Sequence, residues 1–196
     1  MISAIILAAG ESKRMGNKNK LLLPFEGEVL IRRFVRSVCL SEVGNVFVVL
    51  GYESDRIKDV LKGQPVDFVY NPSYSQGMTT SIKAGIRASP EKSDGYMICL
   101  SDMPLVKTKD FNILSKSFSF FRDIEENGFI IVPIFKGIRG NPVIFSHEFR
   151  EEILGHQGEG CRGIIENYPS NVREVLMQNG NLFKDIDTQE DYKKIN

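Results

Sequence analysis

Ile5-Ile6-Leu7-Ala8-Ala9-Gly10-Glu11-Ser12-Lys13-Arg14-Met15-Gly16 lies close to the start of the chain. Its first three residues show no polar alternation, which suits a strand covered by helices on both faces of a parallel sheet. The residues that follow are small, so backbone amides at Ala8, Ala9 and Gly10 can approach a bound anion. Arg14, Lys18 and Lys20 put three basic side chains within reach. Ligands of open α/β sheets bind beyond the carboxyl ends of the strands, so the segment reads as a triphosphate-binding loop. The competing reading is a glycine turn with a solvated basic flank. No Gly-Lys-Ser/Thr closes the loop and it does not fit GxGxxG, which disfavours a P-loop ATPase and a dinucleotide dehydrogenase.

Outward from this strand the pattern repeats. Apolar, β-branched runs at 4–7, 46–50, 66–70, 96–100 and 129–133 alternate with amphipathic stretches at 29–40, 55–61, 78–88 and 109–121. This is the signature of βαβ units around a mostly parallel sheet, and it predicts a three-layer α/β/α, Rossmann-like architecture. Met78, Ile82 and Ile86, spaced by four, give the third helix one buried face. After Gly137 the pattern mixes: a strand at 142–145, short helices at 148–154 and 162–168, and a last strand at 172–177. No repeat, low-complexity tract or linker interrupts the chain, so residues 1–196 are expected to form one domain.

Composition narrows the function. The 196 residues are 42% hydrophobic and 26% charged, with 25 Lys plus Arg against 25 Asp plus Glu. Nothing in that balance attracts a nucleic-acid backbone or an anionic membrane. Cys39, Cys99 and Cys161 are widely spaced, without CxxC or a histidine pair, which disfavours disulfides and structural zinc. The first apolar run is too short to span a membrane and lacks a signal-peptide layout, so a cytoplasmic location is expected.

The other strand ends carry the chemistry. The run at 96–100 leads into Ser101-Asp102-Met103-Pro104, placing a carboxylate at the sheet edge where a magnesium ligand would sit. Alternatively Asp102 starts a turn or caps the helix near Thr108. Lys184-Asp185-Ile186-Asp187-Thr188 offers a second carboxylate: Asp187 is either a metal ligand or part of a helix start, with Thr188 and Asp191 as a capping box. Gly158-Glu159-Gly160-Cys161-Arg162-Gly163 does match GxGxxG, but a charged helical stretch rather than a strand precedes it. His147 and His156 fall in no strand-end motif. A phosphate nucleophile, mostly dianionic near neutral pH, needs no histidine base.

These motifs resemble the molybdenum-cofactor nucleotidyltransferases, in particular their cytidylyltransferase branch. Leu7-Ala8-Ala9-Gly10-x-Ser12-x-Arg14-Met15-Gly16 with Lys20-Leu21-Leu22 is similar to the nucleotide signature of the wider superfamily. Asn71-Pro72, Gly77-Met78-x-x-Ser81, Ser101-Asp102-Met103-Pro104-Leu105-Val106, Arg139-Gly140-Asn141-Pro142-Val143 and Asp185-Ile186-Asp187-Thr188 resemble motifs of the molybdopterin group. The resemblance implies that Arg14 and Lys20 hold the triphosphate, with Lys18 the alternative catalytic lysine. It further implies that Asp102 and Asp187 bind magnesium, that Asn71 and Ser81 face the nucleotide, and that Gly140, Pro142 and Arg162 contact the pterin. Gly158 to Arg162 departs from the family's Gly-Asp-x-Gly-Ala-Arg in length and in Glu159 and Cys161. The double alanine ending at Ala9 resembles cytidine-using members, so the implied substrates are CTP and molybdopterin. A molybdoenzyme or its maturation factor would receive the product. GTP as donor, a sugar-phosphate or isoprenoid-precursor acceptor, and a non-catalytic cofactor chaperone are the rival readings.

Overall fold

The computed structural model describes residues 1–16 and 18–195. In chain order the main elements are β1 (Ile2–Ala8), the two-residue strands β2 (Pro24–Phe25) and β3 (Glu28–Val29), α1 (Leu30–Cys39), β4 (Val46–Leu50), α2 (Ser54–Leu61), β5 (Asp67–Tyr70) and α3 (Met78–Ala88). Then follow β6 (Gly95–Leu100), α4 (Thr108–Ile124), β7 (Ile130–Phe135), β8 (Ile138–Arg139), β9 (Val143–Ser146), α5 (Arg150–Gly155), α6 (Arg162–Asn167), β10 (Val172–Leu176) and α7 (Gln189–Ile195). The segments expected from the sequence form with small shifts at their ends. The stretch at 148–154 divides into a 3₁₀ turn, His147–Phe149, and α5.

The sheet runs β10-β7-β9-β6-β1-β4-β5, with β8 beside β7. β1 pairs in parallel with β4 and β6, as do β4 with β5 and β7 with β10. β9 is reversed against both β6 and β7, and β8 against β7. Apolar side chains cover both faces. Ala4, Ile6 and Ala8 of β1 pack with Phe34 of α1, Ile57 of α2 and Phe111 of α4. Ile5 packs on the other face with Ile82 and Ile86 of α3, Ile153 of α5 and Ile164 of α6. The two-residue side-chain period thus divides one hydrophobic run between two helical layers. Among the described residues no helix is long and apolar enough to cross a membrane, and Cys39, Cys99 and Cys161 are free thiols.

This topology gathers the motifs at one edge. From β1 the chain proceeds outward to β4 and β5, then returns to lay β6 on the other side of β1. A reversal of strand order of this kind opens a crevice between the loops leaving the two central strands. Leu7 of β1 lies opposite Leu100 of β6, so the loops beginning at Ala9 and Ser101 emerge side by side. The Ser101 hydroxyl donates to the Leu7 carbonyl at 2.6 Å and fixes that junction. Because β9 is reversed, its amino end meets the carboxyl end of β6, with Val143 opposite Ile98. The 139–142 motif therefore reaches the same edge.

Gly95 shows how tightly the layers meet at the opposite end of β6. A Cβ there would lie 2.5 Å from Phe118 Cζ and 2.8 Å from the Phe145 carbonyl oxygen. The backbone oxygen cannot swing aside as a side chain could. Gly95→Ala is therefore expected to cost about 1–3 kcal/mol through overpacking, read as a lower urea midpoint with unchanged slope; an unchanged midpoint would mean that β9 yields freely.

Candidate active site

The loop after β1 turns on Ser12, whose φ of 53° lies in the left-handed region that a non-glycine residue seldom occupies. The Ser12 hydroxyl accepts the Lys20 backbone N–H at 3.2 Å, folding the loop onto its own far end. Among the described residues no hydrogen bond engages the backbone amides of Gly10, Glu11 or Ser12, and a Cβ at Gly10 would meet nothing within 4 Å. Asn19 is buried and its side-chain oxygen accepts the Leu21 N–H at 3.1 Å, starting the 3₁₀ turn Lys20–Leu22. That turn aims Lys20 at the sheet edge.

There the Lys20 ammonium lies 2.5 Å from Asp102 Oδ2 and 3.0 Å from Asp187 Oδ1. Arg14 reaches the other Asp187 oxygen at 2.8 Å. The Lys20 and Asp102 side chains are only 16% and 17% exposed, whereas Arg14 is 70% exposed. Burial alone would push the Lys20 ammonium down, but Asp102 and Asp187 outweigh it and hold the group above its usual range. It stays protonated at neutral pH. Burial, together with the Asp187 and Asp102 charges, holds the neighbouring Asp185 above the ordinary carboxylate range, against opposing effects of its own backbone and Lys20.

The two acid-bearing loops are held together through the backbone. The Ile186 N–H donates to the Asp102 carbonyl at 3.0 Å. A second brace is Asp110, fully buried in the first turn of α4. Its carboxylate accepts the Lys107 N–H at 3.0 Å and the Asn179 amide at 3.3 Å, linking the turn after Asp102 to the segment that leads to Asp187. On the far side of Asp187, Thr188 and Asp191 form the expected reciprocal cap: the Thr188 N–H reaches Asp191 at 2.9 Å and the Asp191 N–H returns to the Thr188 hydroxyl at 3.2 Å.

A cavity of about 500 Å³ opens above these groups. Leu7, Ala9, Gly10, Ser12, Arg14, Lys20, Gly77, Ser81, Asp102 and Asp187 border it, as do Asp185 and Glu159. Lys18 is exposed and does not border it. Ala8 is buried in the core, and Asn71 sits behind the wall. The Asn71 carboxamide donates to Thr80 Oγ1 at 2.8 Å and to Ser81 Oγ at 3.0 Å and accepts the Ser73 N–H at 3.0 Å, orienting the start of α3. A second cavity, about 660 Å³, adjoins the first through Met78, Leu100 and Glu159. Gly140 and Arg162 border it, Arg162 pairing with Glu166 at 2.8 Å. Pro142 does not line it. A Cβ on Gly140 would lie 2.5 Å from the Phe183 ring, so its place is a close approach of two chain segments. Cys161 also borders this cavity, but burial pushes its thiol up to about 12, too high for a thiolate nucleophile at neutral pH. Asn19, Asp110, Asp185 and Glu159 belong to this arrangement beyond the residues expected from the strand-end motifs.

The donor set suits a divalent cation that arrives with phosphate. Asp102 Oδ1 is buried without a hydrogen-bond partner, whereas Asp102 Oδ2 and both Asp187 oxygens face Lys20 or Arg14. Among the described residues no cluster of three or more His, Cys, Asp or Glu could hold a metal unaided. Magnesium commonly takes one or two carboxylates and completes its shell with water and phosphate oxygens, which Asp102 and Asp187 satisfy.

A mostly parallel sheet with its crevice at the strand reversal, a small-residue loop and a lysine braced by two carboxylates meet at one edge, and the family match and the curated relative make the chain a nucleotidyltransferase. The chain belongs to the family of the MobA-like NTP transferase domain, whose model matches residues 4–172. It is 26% identical over 201 residues to the molybdenum cofactor cytidylyltransferase of Escherichia coli (strain K12), covering 97% of this chain and 93% of that one. Similar solved structures include a nucleotidyl transferase from Methanothermobacter, Mth528, with TM-score 0.84 and 20% identity over 100% of this chain and 95% of that one. Rv0371c from Mycobacterium tuberculosis H37Rv superposes with TM-score 0.82 and 22% identity over 99% of this chain and 96% of that one. The same protein has been solved in complex with manganese, with TM-score 0.78, 20% identity and 99% and 97% coverage.

Asp110 offers a test of the brace. Asp110→Ala leaves the Lys107 N–H and the Asn179 amide without their buried acceptor, so stability should fall by about 1–3 kcal/mol. Urea denaturation measures it; a loss below a few tenths would mean that water or a neighbour replaces the carboxylate.

Proposed function

We propose that this nucleotidyltransferase joins CMP from CTP to the terminal phosphate of molybdopterin, releasing pyrophosphate. The observation that carries the reading is the Lys20 ammonium braced by Asp102 and Asp187, beside a partnerless Asp102 Oδ1 and bordering the 500 Å³ cavity, which the second cavity adjoins through Met78, Leu100 and Glu159. One cavity suits the nucleotide and the other the acceptor. The name and 26% identity of the Escherichia coli relative support molybdopterin as acceptor, and the Ala8-Ala9 pair supports cytidine.

In this reading the amides of Gly10, Glu11 and Ser12 receive the triphosphate, and Lys20 and Arg14 neutralise its oxygens. An acceptor phosphate oxygen attacks the α-phosphorus in line. The new P–O bond forms as the bond to the bridging oxygen of the β-phosphate breaks, and pyrophosphate leaves with that electron pair. The attacking phosphate is largely dianionic at neutral pH, so no protein base is needed. Accordingly His147 is engaged elsewhere, its Nδ1 3.1 Å from the Ser93 carbonyl. Magnesium, held by Asp102 and Asp187, would supply positive charge against that developing on the transferring group; manganese, present in a complex of Rv0371c, is a natural substitute to test. Lys20 stabilises the same charge from a site whose low exposure strengthens it.

Purified protein supplied with a divalent cation, molybdopterin and one nucleoside triphosphate at a time is expected to release pyrophosphate with CTP and yield the cytosine dinucleotide by mass. Release with GTP alone would move the base assignment, and nucleotide binding without turnover would favour the cofactor chaperone. Asp102→Asn should lower kcat about a hundredfold or more. Full activity in that variant would overturn the site.

A further inference from the structure

The first turn of α3 carries three consecutive hydroxyls, Thr79, Thr80 and Ser81. About 100° separates successive helical residues, so the three face different neighbours. Ser81 borders the nucleotide-side cavity. Thr80 Oγ1 lies 3.0 and 2.9 Å from the carbonyl oxygens of Ser73 and Gly77 and secures the turn before the helix. Thr79 faces away from both. Its hydroxyl donates to the Gly158 carbonyl at 2.5 Å and accepts the Gly160 N–H at 2.9 Å.

Both hydrogen-bonding capacities of Thr79 are therefore spent on one short loop. That loop carries Glu159, which borders both cavities. Its surroundings are poor in intrinsic order: glycines stand at 155, 158, 160 and 163, and Gly160 has a φ of 64°. A glycine-rich segment loses much conformational entropy when fixed, so anchors of this kind decide where it sits. The same helical turn thus presents one side to the nucleotide and grips the acceptor wall with the other.

We propose that Thr79 is a positioning residue that couples nucleotide occupancy at the start of α3 to placement of the acceptor-side loop 158–160. The inference rests on the nucleotidyl-transfer reading. A nucleotide held against Gly77 and Ser81 damps motion of the first helical turn, and the paired hydrogen bonds of Thr79 pass that restraint to Gly158 and Gly160. Thr79 touches neither reacting group. Its effect falls on how well the acceptor is held once the nucleotide is in place.

Thr79→Val keeps the shape and removes both hydrogen bonds, whereas Thr79→Ser keeps the hydroxyl. Hydrogen exchange of the peptide spanning 158–161 is expected to quicken about tenfold in Thr79→Val and to stay within about twofold of the parent in Thr79→Ser. CTP with manganese should slow this peptide in the parent and in Thr79→Ser but not in Thr79→Val, while the CTP Kd by calorimetry stays within about twofold throughout. With molybdopterin as acceptor, Thr79→Val should raise the acceptor KM about tenfold at saturating CTP, and because coupling is reciprocal the CTP KM at saturating acceptor should rise too, although the Kd for CTP alone does not. Equal loop exchange in Thr79→Val and the parent, or equal protection by CTP, would overturn the coupling. Failure of the parent protein to bind any of the four nucleoside triphosphates would overturn the transfer reading itself, and the coupling with it.

Discussion

Asp102 and Asp187 bring like charges to one partly desolvated edge, and the Lys20 ammonium makes that approach tolerable. Taking such groups from water costs several kcal/mol per ion, so an ion cluster of this kind adds little net stability compared with apolar packing. Its form points to chemistry instead. Asp185 adds a third carboxylate that the site holds only with its proton affinity raised, and Asp102 keeps one buried oxygen without a partner. A structure selected for stability alone would place amides or apolar groups there. In the proposed reading, the carboxylates beside the small-residue loop are matched to a polyphosphate that arrives with its cation.

The sheet supplies the means. Lys20, Asp102 and Asp187 come from three distant parts of the chain, yet each follows an element that ends at the same edge. The return of the chain across β1 places β6 beside it, so one crevice receives the loops after both strands. The reversal of β9 brings Gly140 and Asn141, which border the second cavity, to the edge where the parallel strands end. Had β9 been parallel, that motif would lie at the opposite end of the molecule.

The central βαβ units were legible because buried parallel strands write continuous apolar runs, and α3 was legible from Ile82 and Ile86, which are buried; Met78, expected on the same face, is exposed at the helix start, where it borders both cavities. Two small hairpins were not. β2–β3 turns on Glu26-Gly27 and β7–β8 on Lys136-Gly137, each with both residues at positive φ. Such turns usually announce themselves with Asn or Asp before the glycine; Glu and Lys give no such signal, and strands of two residues carry no periodicity. In the site, Asp102 stood out because it closely follows an apolar strand run, whereas Arg14, Lys18 and Lys20 were equivalent until the family resemblance favoured Lys20. Asp110 did not, since an acidic residue in the first turn of a helix has the ordinary reading of a cap, and only the fold brings Asn179 to it. Asn71 illustrates the converse: its motif marks the right region, but its side chain organises the wall from behind.

The consecutive hydroxyls at the start of α3 show why such assignments need geometry. Sequence alone makes Thr79, Thr80 and Ser81 equivalent, polar residues of similar size in one helical turn. The helical rotation separates them into a grip on the loop at 158–160, a lock on the preceding turn and a wall of the 500 Å³ cavity. In the proposed coupling, these attachments carry restraint from one face of the turn to the others. In the proposed reading that division suits two substrates that must meet in line: the helix that borders the nucleotide also holds the wall against which the acceptor is placed.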